Sequence, residues 1–139
     1  MISEARTYYR NSVGQVEAAY LSQGRGLLAK NVLGSAYNTF LDSNNFIRLH
    51  NVTSATAGAT VEVYDLSGND LLAAIPVTIA PESTIELNLN SEAALSANTY
   101  GTLRVIPNTP GTIFGDALRV KSVSTNPGQI DFSKPIPFR

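Results

Sequence analysis

His50 is the sole histidine in a chain of 139 residues that contains no cysteine. An imidazole can serve as a general base or a metal ligand, but it does so in company. A catalytic triad needs a nucleophile and a carboxylate, and a zinc site needs three or four nitrogen or sulfur ligands. Neither set is offered in any recognisable order, so His50 reads as an ordinary strand residue sharing a face with Phe46 and Arg48. The segment Asp65-Leu66-Ser67-Gly68-Asn69-Asp70 gathers oxygen side chains and invites a calcium reading. Calcium takes six to eight oxygens, and an EF-type loop carries its glycine sixth and a glutamate at the end. Here the glycine is fourth and Leu71 to Ala74 follow, so a hairpin turn accounts for every residue.

Asn51-Val52-Thr53 matches an N-glycosylation sequon and so points to a surface loop. Glycosidase chemistry requires two carboxylates flanking one bond. Glu62, Glu86, Asp116 and Asp131 instead fall on separate strand faces and loops. Six tyrosines, five phenylalanines and no tryptophan make a thin basis for the planar platform of a sugar-binding face. No residue is assigned to catalysis, to a cofactor or to a metal, and an enzyme is not expected.

Composition narrows the setting. Charged residues make up 15% of the chain, well below the ~25% usual in globular domains. Serine, threonine and asparagine supply the missing polarity, as in secreted all-β modules. A net charge of −1, with the cations spread from Arg6 to Arg139, excludes the clustered basic surface that nucleic acid demands. The lack of cysteine rules out disulfides and thiolate sites. No apolar run approaches the ~20 residues of a membrane-spanning helix. No basic-then-apolar leader opens the chain, which therefore reads as a mature fragment, extracellular or at the cell surface.

Whatever these residues do must be positioned by strands. Period-2 alternation runs through Asn45 to Asn51, Ala59 to Asp65 and Ser83 to Leu89. Val61 and Val63 belong inside and Thr60, Glu62 and Tyr64 outside; a helical period would scatter them. Further strands are expected over Tyr100–Ile106, Thr112–Val123 and Gln129–Ser133. Pro76 makes the Leu71–Ile79 strand an edge or bends it. Ser67-Gly68-Asn69 reads as a tight hairpin with Gly68 at positive φ. Ser91 to Ser96 is one helical turn on a crossover. Turn signals every ten residues or so indicate a single antiparallel β-sandwich of about eight to ten strands filling residues 1–139. At this length roughly 68% of the unfolded surface can be buried.

From Asn45 to Val105 the order of a strand ending in Asn, a Val-x-Val-Tyr-Asp strand, a Gly hairpin, an Ile-x-Leu-x-Leu strand and a Tyr-Gly-Thr-Leu-Arg-Val strand resembles bacterial immunoglobulin-like surface modules. The resemblance covers under half the chain. It implies an immunoglobulin-like sandwich and, by analogy, adhesion or scaffolding.

The two ends also resemble each other. Gly14-Gln15-Val16-Glu17 and Gly128-Gln129-Ile130-Asp131 match position by position, each following a strand-like run. Chance similarity of polar hairpins is one reading. The other is a repeating unit on the order of 110 residues, assembling head to tail by strand addition. Residues 1–34 then form a hairpin and lead-in packed on or donated to a neighbour. Residues 124–139 form a C-terminal hairpin strand and a tail whose Pro135-Ile136-Pro137 suits an extended linker. The candidate interface is Tyr8, Tyr9 and Val16 at one end and Ile130, Phe132 and Phe138 at the other. The expected role is a non-enzymatic structural or adhesive module that self-associates. Its partners are other copies or adjacent modules, and the alternative is a non-catalytic carbohydrate-binding module.

Overall fold

The computed structural model describes residues 4–10, 13–23, 32–123 and 126–138. Within them the chain forms β1 (Glu4–Arg10), β2 (Val16–Gln23), β3 (Leu33–Asn38), β4 (Asn44–Asn51), β5 (Ala57–Tyr64), β6 (Leu71–Ile79), β7 (Thr84–Asn88), β8 (Tyr100–Pro107), β9 (Ile113–Val123) and β10 (Asn126–Pro137). A single 3-10 turn spans Phe40–Asp42, and the one-turn helix α1 covers Leu89–Glu92. Two four-stranded antiparallel sheets stack face to face, ordered β10-β9-β4-β7 and β3-β8-β5-β6. The all-β sandwich expected from the alternation is the fold observed. The hairpin β1–β2 is a third, two-stranded sheet, and its β2 lies against β10.

Alternation places the core. Ile47 and Leu49 on β4, Val61 and Val63 on β5, and Leu103 and Val105 on β8 face one another across the two sheets, almost wholly buried. Each such side chain contributes roughly 1.5–3 kcal/mol of transfer free energy. Ala73, Ile75 and Val77 of β6 and Ile85 and Leu87 of β7 point the same way but are only partly covered. Those two strands are sheet edges, so one flank of each side chain lacks a neighbour. Pro76 sits on β6, an edge as its missing N–H requires. Leu118 and Val120 on β9 form a second, smaller cluster with Phe46.

Two expectations about the C-terminal segment need correction. Pro135-Ile136-Pro137 is not a linker: it is the end of β10, paired with Leu118, Ala117 and Asp116, and Ile136 packs on the core. β10 is an edge strand, where a residue without an N–H is tolerated. The two similar hairpins also differ in build. Gly14 occupies a turn at φ 83°, whereas Gly128 lies inside β10. The first hairpin is a sheet by itself, and the second pair of strands belongs to a four-stranded one. The short helix begins earlier than expected, with the Asn88 side chain as N-cap, accepting from the Asn90 N–H. Among the described residues, no helix is long and apolar enough to cross a membrane.

Register fixes which loops share an end. Asn38 pairs with Tyr100, and Tyr64 pairs with both Thr102 and Leu71. The 3-10 turn, the β5–β6 hairpin and the α1 connection therefore lie together at one end of the sandwich. The loops after β4, β6 and β8 lie at the other.

Candidate interaction surface

β4 runs through the middle of its sheet and carries Phe46, Arg48 and His50 on the face away from the core. Arg48 is directly opposite Asp116 on β9, and His50 is opposite Thr84 on β7. The Arg48 Nε and Nη2 donate to Asp116 Oδ1 at 3.1 and 2.9 Å. His50 Nε2 lies 3.2 Å from Asp116 Oδ2, and its Nδ1 lies 2.8 Å from Thr84 Oγ1. Hydroxyl, imidazole and carboxylate thus stand in the connectivity of a nucleophilic triad. The surroundings differ from one. The trio lies across a flat sheet face, Arg48 occupies the other carboxylate oxygen, and Thr84 is exposed on an edge strand. The arrangement is what cross-strand neighbours make on a polar face. His50 has the strand position expected of it; Thr84 and Asp116 were not foreseen beside it, because sequence spacing carries no information about register.

The other polar groups that attract chemical readings are consumed by the fold. Asp65 closes the β5–β6 hairpin: its Oδ1 accepts from the Ser67 hydroxyl at 2.7 Å and from the Asp70 N–H at 3.3 Å, while Gly68 takes φ 73°. The Ser67 hydroxyl above all, opposed by desolvation and aided by the N–H groups of Asp70, Ser67 and Asn69, holds the Asp65 carboxyl below its ordinary value. No group of three or more potential ligands that could hold a metal occurs among the described residues.

Asn51 is buried, and its Nδ2 donates to the carbonyls of Ala55, Ile79 and Ala80 at 2.7, 3.1 and 2.9 Å. Its Oδ1 accepts from the Thr53 N–H and hydroxyl. The sequon nitrogen is therefore turned into the fold and is not presented to a glycosyl donor. At the opposite end, Asn45 Nδ2 donates to the Asn38 carbonyl and to Asn90 Oδ1, and Asn90 Nδ2 donates to the Ser43 carbonyl. This chain of asparagines ties β3, β4 and α1 together.

An open cavity of about 500 Å³ lies along β3 and β8, lined by Gly34–Ala36, Thr102–Arg104 and Ile136. Its one charged side chain, Arg104, is 5.1 Å from the centre of the Tyr64 ring. The Tyr64 hydroxyl donates to Glu62 at 2.6 Å, and that bond raises the phenol above its ordinary value. Tyr64 is thereby engaged on one face of its ring and at its hydroxyl.

The expected interface residues fare unevenly. Tyr8 and Tyr9 lie on β1 opposite Ala19 and Ala18, and Ile130 and Phe132 lie on β10 opposite Ser122 and Lys121; their side chains fall outside the described set. Val16 is 47% exposed at the start of β2. Phe138 is a correction. It is 7% exposed, and its ring lies over Gly115, where a Cβ would come within 3.3 Å of it. A ring that fills the space beside a glycine of its own sheet is not available to a partner.

Exposed apolar surface concentrates elsewhere. Phe40, Leu41, Leu66, Leu71, Leu72 and Tyr100 are all exposed, and all sit at the end that holds the 3-10 turn and the β5–β6 hairpin. Phe40 and Tyr100 touch, with ring centroids 6.1 Å apart. Alternation could not reveal Phe40, Leu41 and Leu66, because turn residues have no periodic face, while Leu71, Leu72 and Tyr100 stand at the first residues of β6 and β8.

No family model matches the chain, and no curated protein matches it either. A solved structure does: the crystal structure of Thermotoga maritima 1070 superposes with a TM-score of 0.59 at 13% identity, covering 78% of this chain and 94% of that one. At that identity the likeness concerns the fold alone, and it supports the sandwich architecture.

Proposed function

We propose that this chain is a non-enzymatic structural or adhesive module that associates with copies of itself through its terminal hairpin and its open sheet edges. The observation that carries the reading is the hairpin β1–β2, which forms its own two-stranded sheet beside β10. Two strands alone are marginally stable in water, so such an element gains most from a further surface to pack on. The consumption of the Asp65, Asn51 and Asn45 groups inside the fold supports a role without chemistry. A surface-module setting, with the immunoglobulin-like resemblance and the extracellular location, follows from the sequence pattern and belongs to the same proposal.

Sedimentation velocity on the full chain tests it. The expected result is a species heavier than the 14.8 kDa monomer that grows with concentration. A single sedimentation coefficient at the monomer value from micromolar to millimolar overturns the proposal.

A further inference from the structure

The two four-stranded sheets end in β10 and β7 and in β3 and β6. Three of these edges carry devices that discourage a further strand. β6 has Pro76 within it, β10 contains Pro127, Pro135 and Pro137, and β7 presents the exposed Glu86. β3, Leu33-Gly34-Ser35-Ala36-Tyr37-Asn38, has neither a proline nor a charge.

Hydrogen bonds at the end of β3 show which way its backbone points. Thr39, the next residue, donates its N–H to the Thr99 carbonyl at 2.8 Å, on the β8 side. Asn38 faces the other way: its N–H donates to Asn45 Oδ1 and its carbonyl accepts from Asn45 Nδ2, both at 3.0 Å. The Asn45 amide thus pairs with the edge as a strand's peptide group would, and closes it at that end. Orientation alternates along an antiparallel strand, so Ala36 and Gly34 turn their N–H and C=O to the same side as Asn38. Among the described residues, no strand pairs with β3 on that side. Ala36 is exposed, and the open cavity of about 500 Å³ is lined by Gly34–Ala36. Side chains this small leave the backbone uncovered, and a glycine inside a strand commonly marks the close approach of another backbone.

The edge is complementary to itself. About a twofold axis at Ser35, Gly34 of one copy falls opposite Ala36 of the other, and both present N–H and C=O across the gap. Each such pair exchanges two hydrogen bonds. No charge on β3 opposes the approach, whereas two β7 strands paired in this way would gather their Glu86 carboxylates on one seam.

We infer that β3 pairs antiparallel with β3 of a second copy of this chain, in the register centred on Ser35, and so joins the two copies' sheets into one. This rests on the self-association proposed above and names the edge that carries it. The contact is isologous: the same strand serves on both copies, and the pair is closed with respect to it.

Two variants test the pairing. Ala36→Pro removes an N–H that β8 does not use, so the fold is retained while the edge loses a donor. Near-ultraviolet circular dichroism and the melting temperature verify the fold. At a concentration where the wild-type chain is associated, light scattering is expected to show the mass of Ala36→Pro halved. Ser35→Cys supplies a sole thiol, since the chain has no cysteine. In the proposed register the two Ser35 Cα atoms lie about 4.5 Å apart, within disulfide reach. Mild oxidation is expected to convert Ser35→Cys to a covalent dimer at least tenfold faster than Thr78→Cys, whose thiol stands exposed on the β6 edge. A monomeric wild-type chain with no Ser35→Cys cross-linking overturns self-association and this inference with it. If wild type associates and Ala36→Pro associates equally, self-association stands and β3 is the wrong edge. If Ala36→Pro dissociates but Ser35→Cys cross-links no faster than Thr78→Cys, the pairing of β3 with its own copy is overturned.

Discussion

Gly101 shows how closely the strands approach at the residue scale. A Cβ placed on it would collide with the Tyr64 carbonyl oxygen and come within 2.8 Å of the Tyr37 hydroxyl and 2.9 Å of the Asp65 carbonyl carbon. Most of these atoms are backbone and cannot swing away, so Gly101→Ala is expected to destabilise the fold by about 3 kcal/mol in urea unfolding. A loss under about 0.5 kcal/mol contradicts the close approach. Asn51 is the polar counterpart. Replacing it with alanine leaves the Ile79 carbonyl and the Thr53 N–H without their side-chain partner at a buried site. The expected loss is about 2–3 kcal/mol. A sequon asparagine that served only as a surface acceptor would tolerate the same change with no loss. Neither requirement is legible in the sequence. Gly101 looks like any strand glycine, and Asn51-Val52-Thr53 matches a modification motif, although its asparagine is spent on backbone carbonyls.

At the scale of elements, the β5–β6 hairpin offers a prediction with a sign. The folded pKa of Asp65 is depressed, so its carboxylate stabilises the turn at pH above the ordinary aspartate value, and that contribution disappears as pH falls through the depressed value. Below about pH 4 the Gly68 and Asp70 amides are expected to lose protection relative to their intrinsic exchange rates, while β4 and β5 amides keep theirs. Unchanged protection factors at Gly68 and Asp70 down to pH 2 remove Asp65 as the clasp. Strands with strict alternation, such as β4, β5 and β7, could be read from the sequence, as could the turn at Gly68. β3 could not: Leu33-Gly34-Ser35-Ala36-Tyr37-Asn38 has low strand propensity in its middle. It is held by pairing with β8 and by burial of Leu33 and Tyr37. β10 is legible only in part, since its prolines suggest a chain leaving the domain, yet an edge position admits them.

For the whole molecule, the all-β sandwich follows from periodicity and turn spacing, and the superposition on the Thermotoga maritima structure agrees with it. Similarity between the two ends of the chain conceals that one hairpin forms its own two-stranded sheet beside β10 while the other pair of strands is built into a four-stranded sheet, and the proposed self-association uses the first. Hydrogen exchange at two protein concentrations tests this most directly. If the hairpin packs on a neighbouring copy, the amides of Thr7 to Tyr9 and Ala18 to Leu21 gain protection as concentration rises, while those of β4, β5 and β8 do not change. Hairpin protection that is the same at micromolar and millimolar protein contradicts the account.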